Sequence, residues 1–455
     1  MKDNQIARIL SRGFADKLFP PHRQLIPDID DYYELELAFF EDQLLNDAEL
    51  LRNSAYFAKV HDKYTRHFLM CTGESLRLPD HSSSRLKSFF EKNIFRTGYG
   101  THGLFPYRGK FHPQMIKGLM NVMGLKPGDT VLDPMMGSGT VPVEASLMGI
   151  NSVGIDASPF CRFMAQTKID ALTMDLDRAR KALTNADEVF AYFRNRVGSA
   201  ETGRKIRATA SSRSDSVVCE PPVEYMGGRS SENLKGKNKE TVDTYNFLLL
   251  AYLDAAGYSE RSERKSPVEQ FRAILQRYVF VADKIQKVLA EVEEPIGTAN
   301  LSQGDARSLV LDDETIDGVI FSPPYSFAID YLDNDAFHLK YLGVDIDSLQ
   351  KSMVGLRGRT LDEKFQLYRD DMQKVLSECA RVMQPGAICT IIVGTNSNQL
   401  SKVLHVPTDE VPGLHQILID MAKPVGLELF RIMSRTIVGI SNTMRREQII
   451  MLQKR

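Results

Sequence analysis

Two short stretches of this chain carry residue types that could do chemistry. The first is "IDGVIFSPPYSF" at 316–327. Its apolar run reads as a buried strand, and Ser322-Pro323-Pro324-Tyr325 stops it, because prolines lack the ladder N–H and fix φ. A strand tip made of a hydroxyl, stiff carbonyls and an aromatic ring offers hydrogen-bond acceptors at fixed positions beside a π face. The second stretch is "VLDPMMGSGTVPVEA" at 131–145. Gly137 and Gly139 lie between a strand and a helix, where glycine permits tight φ values and close ligand approach. The N–H groups of the helix that follows face the ligand.

What would bind at the second stretch follows from charge. Asp133 sits at the carboxyl end of its strand, where ligands bind in open α/β sheets. No lysine follows the last glycine and no GxxxxGK[ST] spacing is present, which argues against a phosphate loop. The next strand, "VGID", ends in Asp156, a place where a carboxylate accepts two ribose hydroxyls; a helix N-cap is the other reading. Two carboxylates beside a glycine turn suit a nucleoside with a cationic amino-acid tail, a description that S-adenosylmethionine (SAM) meets.

The elements that must position these residues alternate between strand and helix. "MIKGLMNVMGL" reads as helix, "TVLD" as a short strand, "VPVEASLMGI" as helix and "SVGID" as strand. This β-loop-α-β unit belongs to an open, mainly parallel sheet. Alternation stops over 176–297, where helical segments (176–197, 241–256, 266–293) flank "GRKIRATASSRSDSVVCEPPVEYMGGRSSENLKGKNKE". Through Lys239 that stretch holds eight basic and four acidic side chains. It suits either a solvated loop or a mobile basic arm, with Arg204 and Lys205, against a phosphate backbone. Alternation resumes with "GDARSL", "IDGVIF", a helix near 362–383 and "ICTIIVG", and "LELFRIMSRTIVG" with "REQIIMLQK" reads as a terminal antiparallel pair. The expected organisation is a helical N-terminal region (1–95), a first half-domain (96–175), a helical and basic insertion (176–297) that is the candidate for target recognition, and a second half-domain (298–455).

Composition sets the outer limits. The chain has 455 residues, 43% hydrophobic and 25% charged, with net charge -2. There is no overall basic surplus, so any nucleic-acid contact would be a local patch. The N-terminal stretch "DIDDYYELELAFFEDQLLNDAEL" holds nine acidic residues and no basic one; it reads as a solvated helix packing by its Leu, Phe and Tyr face, unsuited to phosphate. No apolar run is long enough to span a membrane. Five scattered cysteines without CxxC, and nine histidines without HxxxH, give no metal signal and suit a reducing, cytoplasmic setting.

"DPMMGSGT" followed later by "SPPY" resembles the amino-methyltransferases of nucleic acids, the N4-cytosine and N6-adenine DNA methyltransferases. The resemblance covers about 96–175 and 298–455. It implies a Rossmann-like, SAM-dependent methyltransferase fold, with a mainly parallel seven-stranded sheet and a C-terminal antiparallel pair. It implies that Asp133, Pro134, Gly137, Ser138, Gly139, Thr140 and Asp156 cradle SAM. "THGLFPYRGKFHPQMI" resembles the segment against the methionine part, here Lys110 and Phe111. "GDAR" resembles the segment at the adenine edge, here Asp305 and Ala306. Met135 departs from the family's usual phenylalanine, and methionine fills similar apolar space. Ser322, Pro323, Pro324 and Tyr325 become the catalytic tip. The Ser322 hydroxyl and Pro323 carbonyl accept hydrogen bonds from an exocyclic amine as it attacks the SAM methyl, and Tyr325 stacks on a flipped base.

In that family a serine before the two prolines goes more often with N4-cytosine, so the resemblance points to cytosine N4, with adenine N6 as alternative. Downstream, Asp330, Tyr331 and His338 are expected near the pocket mouth. Arg357 and Arg359 in "KSMVGLRGR" fit a phosphate-contacting loop or a plain solvated one. The look-alike "VVCEPPVEY" at 217–225 has no adjacent aromatic and reads as a turn. The expected partner is double-stranded DNA with base flipping, a restriction or defence system is the candidate setting, and no metal and no membrane are expected. The rivals are a tRNA guanine-N2 methyltransferase and a SAM-binding subunit without turnover.

Overall fold

The structure, a computed structural model, describes residues 17–27, 29, 31–72, 97–107, 109–201, 237–259, 266–291, 295–324, 331–436 and 446–455. The first region contains β1 (Arg23–Leu25), α1 (Tyr32–Leu44), α2 (Asp47–Asn53), β2 (Phe57–Val60), β3 (Lys63–Tyr64) and α3 (Arg66–Cys71). Reciprocal capping boxes, Asp31 with Glu34 and Asn46 with Glu49, start α1 and α2. Beside these helices the sequence reading missed a small three-stranded antiparallel sheet, formed by β1, β2 and β3. These strands are too short to show a period of two. The β2–β3 turn uses His61 and Asp62 at φ 47° and 63° in place of glycine, so it carries no glycine signal.

The acidic stretch is a packed helix. Both Glu41 carboxylate oxygens accept the Ala55 N–H (2.8 and 3.0 Å), and one also takes the Tyr56 N–H (3.1 Å). The Asn121 amide, from the helix ahead of the glycine turn, donates to the same carboxylate at 2.7 Å. Burial pushes this carboxyl up to about 7, with the hydrogen bonds opposing. Glu41 thus ties the first region to the main domain.

The main domain runs α4 (Pro113–Val122), β4 (Thr130–Asp133), α5 (Thr140–Met148), β5 (Asn151–Asp156), α6 (Pro159–Asp170), α7 (Asp177–Thr184) and α8 (Ala186–Glu201). It continues with α9 (Lys237–Ser259), α10 (Pro267–Ala290), β6 (Ala299–Gln303), β7 (Ile316–Phe321), α11 (Tyr331–Tyr341), α12 (Ile346–Ser352) and α13 (Leu361–Val382). It closes with β8 (Met383–Gly394), α14 (Ser397–Leu404), α15 (Leu414–Ala422), β9 (Leu427–Thr436) and β10 (Arg446–Lys454). Seven strands form one sheet in the order β6-β5-β4-β7-β8-β10-β9. The pairs from β6 through β8 are parallel, and β10 inserts antiparallel between β8 and β9. This is the Rossmann-like methyltransferase topology that the sequence led us to expect.

Strand residues alternate between two cores, which explains their unbroken apolar runs. Val131, Ile320, Ile392 and Ile449 pack with α1, α4 and α5. Their neighbours Leu132, Val319, Ile391 and Ile450 pack with α13 and α15. The described part of 176–297 is a helical layer with a core of its own. Phe190, Phe193, Phe247 and Phe271 gather there with Phe160 of α6 and Leu339 of α11. The four described cysteines are buried and form no disulfide with one another. No described helix is long and apolar enough to cross a membrane.

Candidate active site

The parallel strands end at one edge of the sheet, and their carboxyl ends open on one cavity. It is lined by Pro134, Gly137, Ser138 and Thr140 of the glycine turn, by Asp156, by Asp305 and Ala306, and by Ser322, Pro323 and Pro324. Lys110 and Phe111 form part of its wall. The two motifs, far apart in sequence, therefore share one chamber. Asp133 and Gly139 stand behind the lining. Asp133 is fully buried. Gly139, at φ 75°, caps the start of α5. A Cβ there would lie 2.6 Å from the Ala165 Cβ, so the turn and α6 pack at glycine distance.

Asp156 holds the turn in place. One carboxylate oxygen accepts the Ser158 N–H at 2.8 Å and the other the Gly137 N–H at 2.8 Å. Each oxygen keeps a lone pair for a ligand hydroxyl. Burial pushes its carboxyl up, with these two bonds opposing. Asp133 accepts the Met135 N–H at 3.1 Å through one oxygen, while the other, buried, has no hydrogen-bond partner among the described residues. Burial pushes this carboxyl well up, and the Asp156 charge adds to the effect. A buried, half-satisfied carboxylate beneath a glycine turn is electrostatically incomplete, and a cationic ligand would complete it. The donor set fits SAM: acidic groups for the ribose hydroxyls and the positive amino-acid end.

The far wall is built around Asp371. This buried carboxylate of α13 accepts from Arg307 Nη1 at 3.0 Å and from Arg357. Arg307 also grips Asp305 at 2.7 and 2.8 Å and donates to the Ser352 carbonyl at 2.7 Å. The Arg307 hydrogen bond holds the Asp305 carboxyl below its usual value. Two residues before Arg357, Gly355 at φ 82° lies against Pro324, its Cβ position 3.2 Å from that ring. One buried charge thus links the cofactor-side carboxylate, the 352–357 loop and the proline tip.

The expected phosphate contacts divide. The Arg357 guanidinium is turned inward onto Asp371, a correction to its reading as a backbone-phosphate group, whereas Arg359 is exposed. His338 is also corrected. It does not sit at the pocket mouth but is buried, stacked on Phe160 at 4.6 Å, with Nε2 3.2 Å from the Leu253 carbonyl. Tyr325, Asp330, Arg204, Lys205 and the look-alike at 217–225 lie outside the described residues. The structure adds lining residues that the sequence reading passed over: Tyr107, Cys161, Leu332, Asp335, Met353 and Val354. Only Tyr107 carried a signal, since it falls inside the segment matched to the methionine part of SAM.

A sheet of this strand order, with a glycine turn and acidic strand ends opening on one chamber, defines a SAM-dependent methyltransferase domain, and SAM is its cofactor. The model of the family described as the RMKL-like methyltransferase domain (UPF0020) matches residues 104–234. Among curated relatives, the type II methyltransferase M.BsoBI of Geobacillus stearothermophilus is 25% identical over 303 residues, 58% of this chain and 57% of that protein. The type II methyltransferase M.MjaII of Methanocaldococcus jannaschii is 38% identical over 100 residues, 22% of this chain and 18% of that protein. A tRNA (guanine(10)-N2)-dimethyltransferase of Methanothermobacter thermautotrophicus is 42% identical over 52 residues, 11% of this chain and 16% of that protein. The chain thus spans 57%, 18% and 16% of the length of these relatives. A solved SAM-dependent methyltransferase from Methanosarcina mazei is 12% identical, with a TM-score of 0.31, over 72% of this chain and 94% of that one. The chain is thus similar to amino-methyltransferases over part of its length.

Proposed function

We propose that this protein methylates the exocyclic amine of a base flipped out of double-stranded DNA, cytosine N4 in the first place and adenine N6 as the alternative. The observation that carries the reading is the shared chamber, with the glycine turn and Asp156 on one side and Ser322-Pro323-Pro324 on the other. SAM supplies an electrophilic methyl on a sulfonium. The protein's part is to hold a weak nucleophile in line with it. The Ser322 hydroxyl and Pro323 carbonyl accept the amine's hydrogens as its nitrogen becomes tetrahedral, and the prolines keep that carbonyl fixed. The proton released is acidic once the methyl has moved, so no strong base is needed. Tyr325 supplies the stacking face for the base. Arg359 and the basic 203–239 stretch are the candidate backbone contacts. DNA is favoured by the two type II methyltransferase relatives, one of them matching over 58% of the chain. The tRNA relative matches over 11%.

The test is incubation with methyl-labelled SAM and separate DNA and RNA pools, followed by nucleoside mass spectrometry. N4-methylcytosine in DNA is the expected product, and Ser322→Ala should lower kcat about 10²-fold. Label confined to RNA would overturn the DNA reading. Full turnover in the Ser322→Ala variant would overturn the proposed tip chemistry.

A further inference from the structure

A second cluster of ligand-type side chains lies far along the chain from the chamber residues, in the three-stranded sheet of the first region. His22 directly precedes β1 and His61 directly follows β2. The register pairs Arg23 with Val60, so the two histidines face each other across the end of the ladder. The His61 N–H donates to the His22 carbonyl at 2.9 Å and fixes that pairing. Their rings stack at 4.1 Å with planes 8° apart. Asp47, the first residue of α2, joins them, with its Oδ2 2.7 Å from His61 Nε2. One ligand atom from each of the three lies within 4.8 Å of the others. Among the described residues this is the one such group of three.

We propose that His22, Asp47 and His61 form a surface site for a divalent transition metal of zinc type, which clamps β1, the β2–β3 turn and α2 together. Two imidazoles and one carboxylate suit zinc, and nickel or copper as well, whereas magnesium prefers an all-oxygen set. Three protein ligands leave a position for water. The scaffold is set in advance: the histidines are held by a backbone hydrogen bond, and Arg23 grips the other Asp47 oxygen at 2.7 Å. That contact aims Oδ2 at the histidines, in the manner of an outer-shell partner. Arg23 also places a positive charge beside the site, which moderates its affinity. On binding, the metal takes the place of the hydrogen between His61 Nε2 and Asp47: a neutral imidazole carries its one hydrogen on Nδ1 instead, and only an imidazolium releases a proton to solvent. A plain His–Asp pair with a stacked second imidazole explains the 2.7 Å and 4.1 Å contacts; binding one metal would turn the rings out of that stack so that a nitrogen of each points at it. The clamp accounts for all three groups.

The experiment is calorimetric titration of the full chain with zinc chloride at pH 7.5, with magnesium chloride as comparison. We expect one saturable zinc site and none for magnesium. His22→Gln and His61→Gln should each weaken zinc binding at least tenfold while leaving the metal-free thermal midpoint and methyl transfer unchanged. Affinity should fall as pH drops to 5.5, because protons compete for the imidazoles. An absence of saturable zinc binding, or undiminished binding in the double variant, would overturn the proposal. Because the methyltransferase chamber is untouched, this outcome is independent of the proposed reaction.

Discussion

The packing of Gly139 on Ala165 gives a prediction whose size can be worked from two distances. Gly139→Ala places a side chain at φ 75°, where a non-glycine residue costs about 1–2 kcal/mol. The new Cβ would lie 2.6 Å from the Ala165 Cβ and 3.0 Å from its Cα, an overpacking worth about 1–3 kcal/mol. Together these give a loss of about 2–5 kcal/mol in folding stability. The clash has a partner that can be removed. Ala165→Gly alone costs about 1 kcal/mol as a glycine inside a helix. In the double variant the 2.6 Å contact disappears, but the 3.0 Å contact with the Cα and the backbone strain stay. The two substitutions should therefore couple favourably by about 1–2 kcal/mol rather than add.

The assay is urea denaturation of the four proteins in a double-mutant cycle, repeated with SAM. The turn carries Gly137 and Ser138 into the chamber, so Gly139→Ala should also weaken SAM binding, and the double variant should recover only part of it. Additive losses, with no coupling beyond about 0.5 kcal/mol, would refute the close packing of the turn on α6. Coupling in stability without any change in SAM affinity would show that the turn is structural only.

Three further outcomes follow from buried charge. Asp133→Asn should raise the stability of the ligand-free protein by about 1 kcal/mol, since a half-satisfied buried carboxylate is removed, yet weaken SAM binding at least tenfold; denaturation midpoints and equilibrium binding check the opposite signs. Asp371→Asn should cost about 2 kcal/mol, the worth of hydrogen bonds to charged groups, and raise the KM for SAM several-fold by freeing Arg307 from its hold on Asp305; a stability loss with unchanged KM would remove Asp371 from cofactor positioning. Glu41, at about 7 in the fold against 4.5 as a free group, binds its proton more tightly when folded, so its contribution falls as pH rises from 4.5 to 7 and then levels, by roughly 3 kcal/mol at most. Glu41→Gln should flatten that part of the stability–pH curve relative to the parent.

Which parts were legible in the sequence follows from how each residue is held. β4, β7 and β8 stood out because they are buried on both faces, so Leu132 and Val131, or Ile391 and Ile392, serve opposite cores in an unbroken apolar run. β6, "ANLSQ", lies at the sheet's edge and buries only Ala299 and Leu301, which leaves too little pattern to read. The glycine turn and the proline tip were legible because backbone geometry restricts which residues can stand there. The chamber's remaining wall was not. Asp335 and Met353 come from α11 and the loop after α12, and nothing local marks them as facing a cavity. The His338 reading failed for the same reason. Helical spacing fixes which residues share a face, but only the packing of α11 against α6 and α9 decides which part of that face meets solvent. His338 reaches Phe160 and Leu253 while Asp335, one turn earlier, lines the chamber. The Arg357 case is sharper still: an arginine between glycines reads as a phosphate ligand only until a buried carboxylate is found beside it, and Asp371 lies on a helix that no motif marks. Residues constrained by their own backbone can be assigned from sequence, whereas residues whose role depends on a partner need the partner's position first.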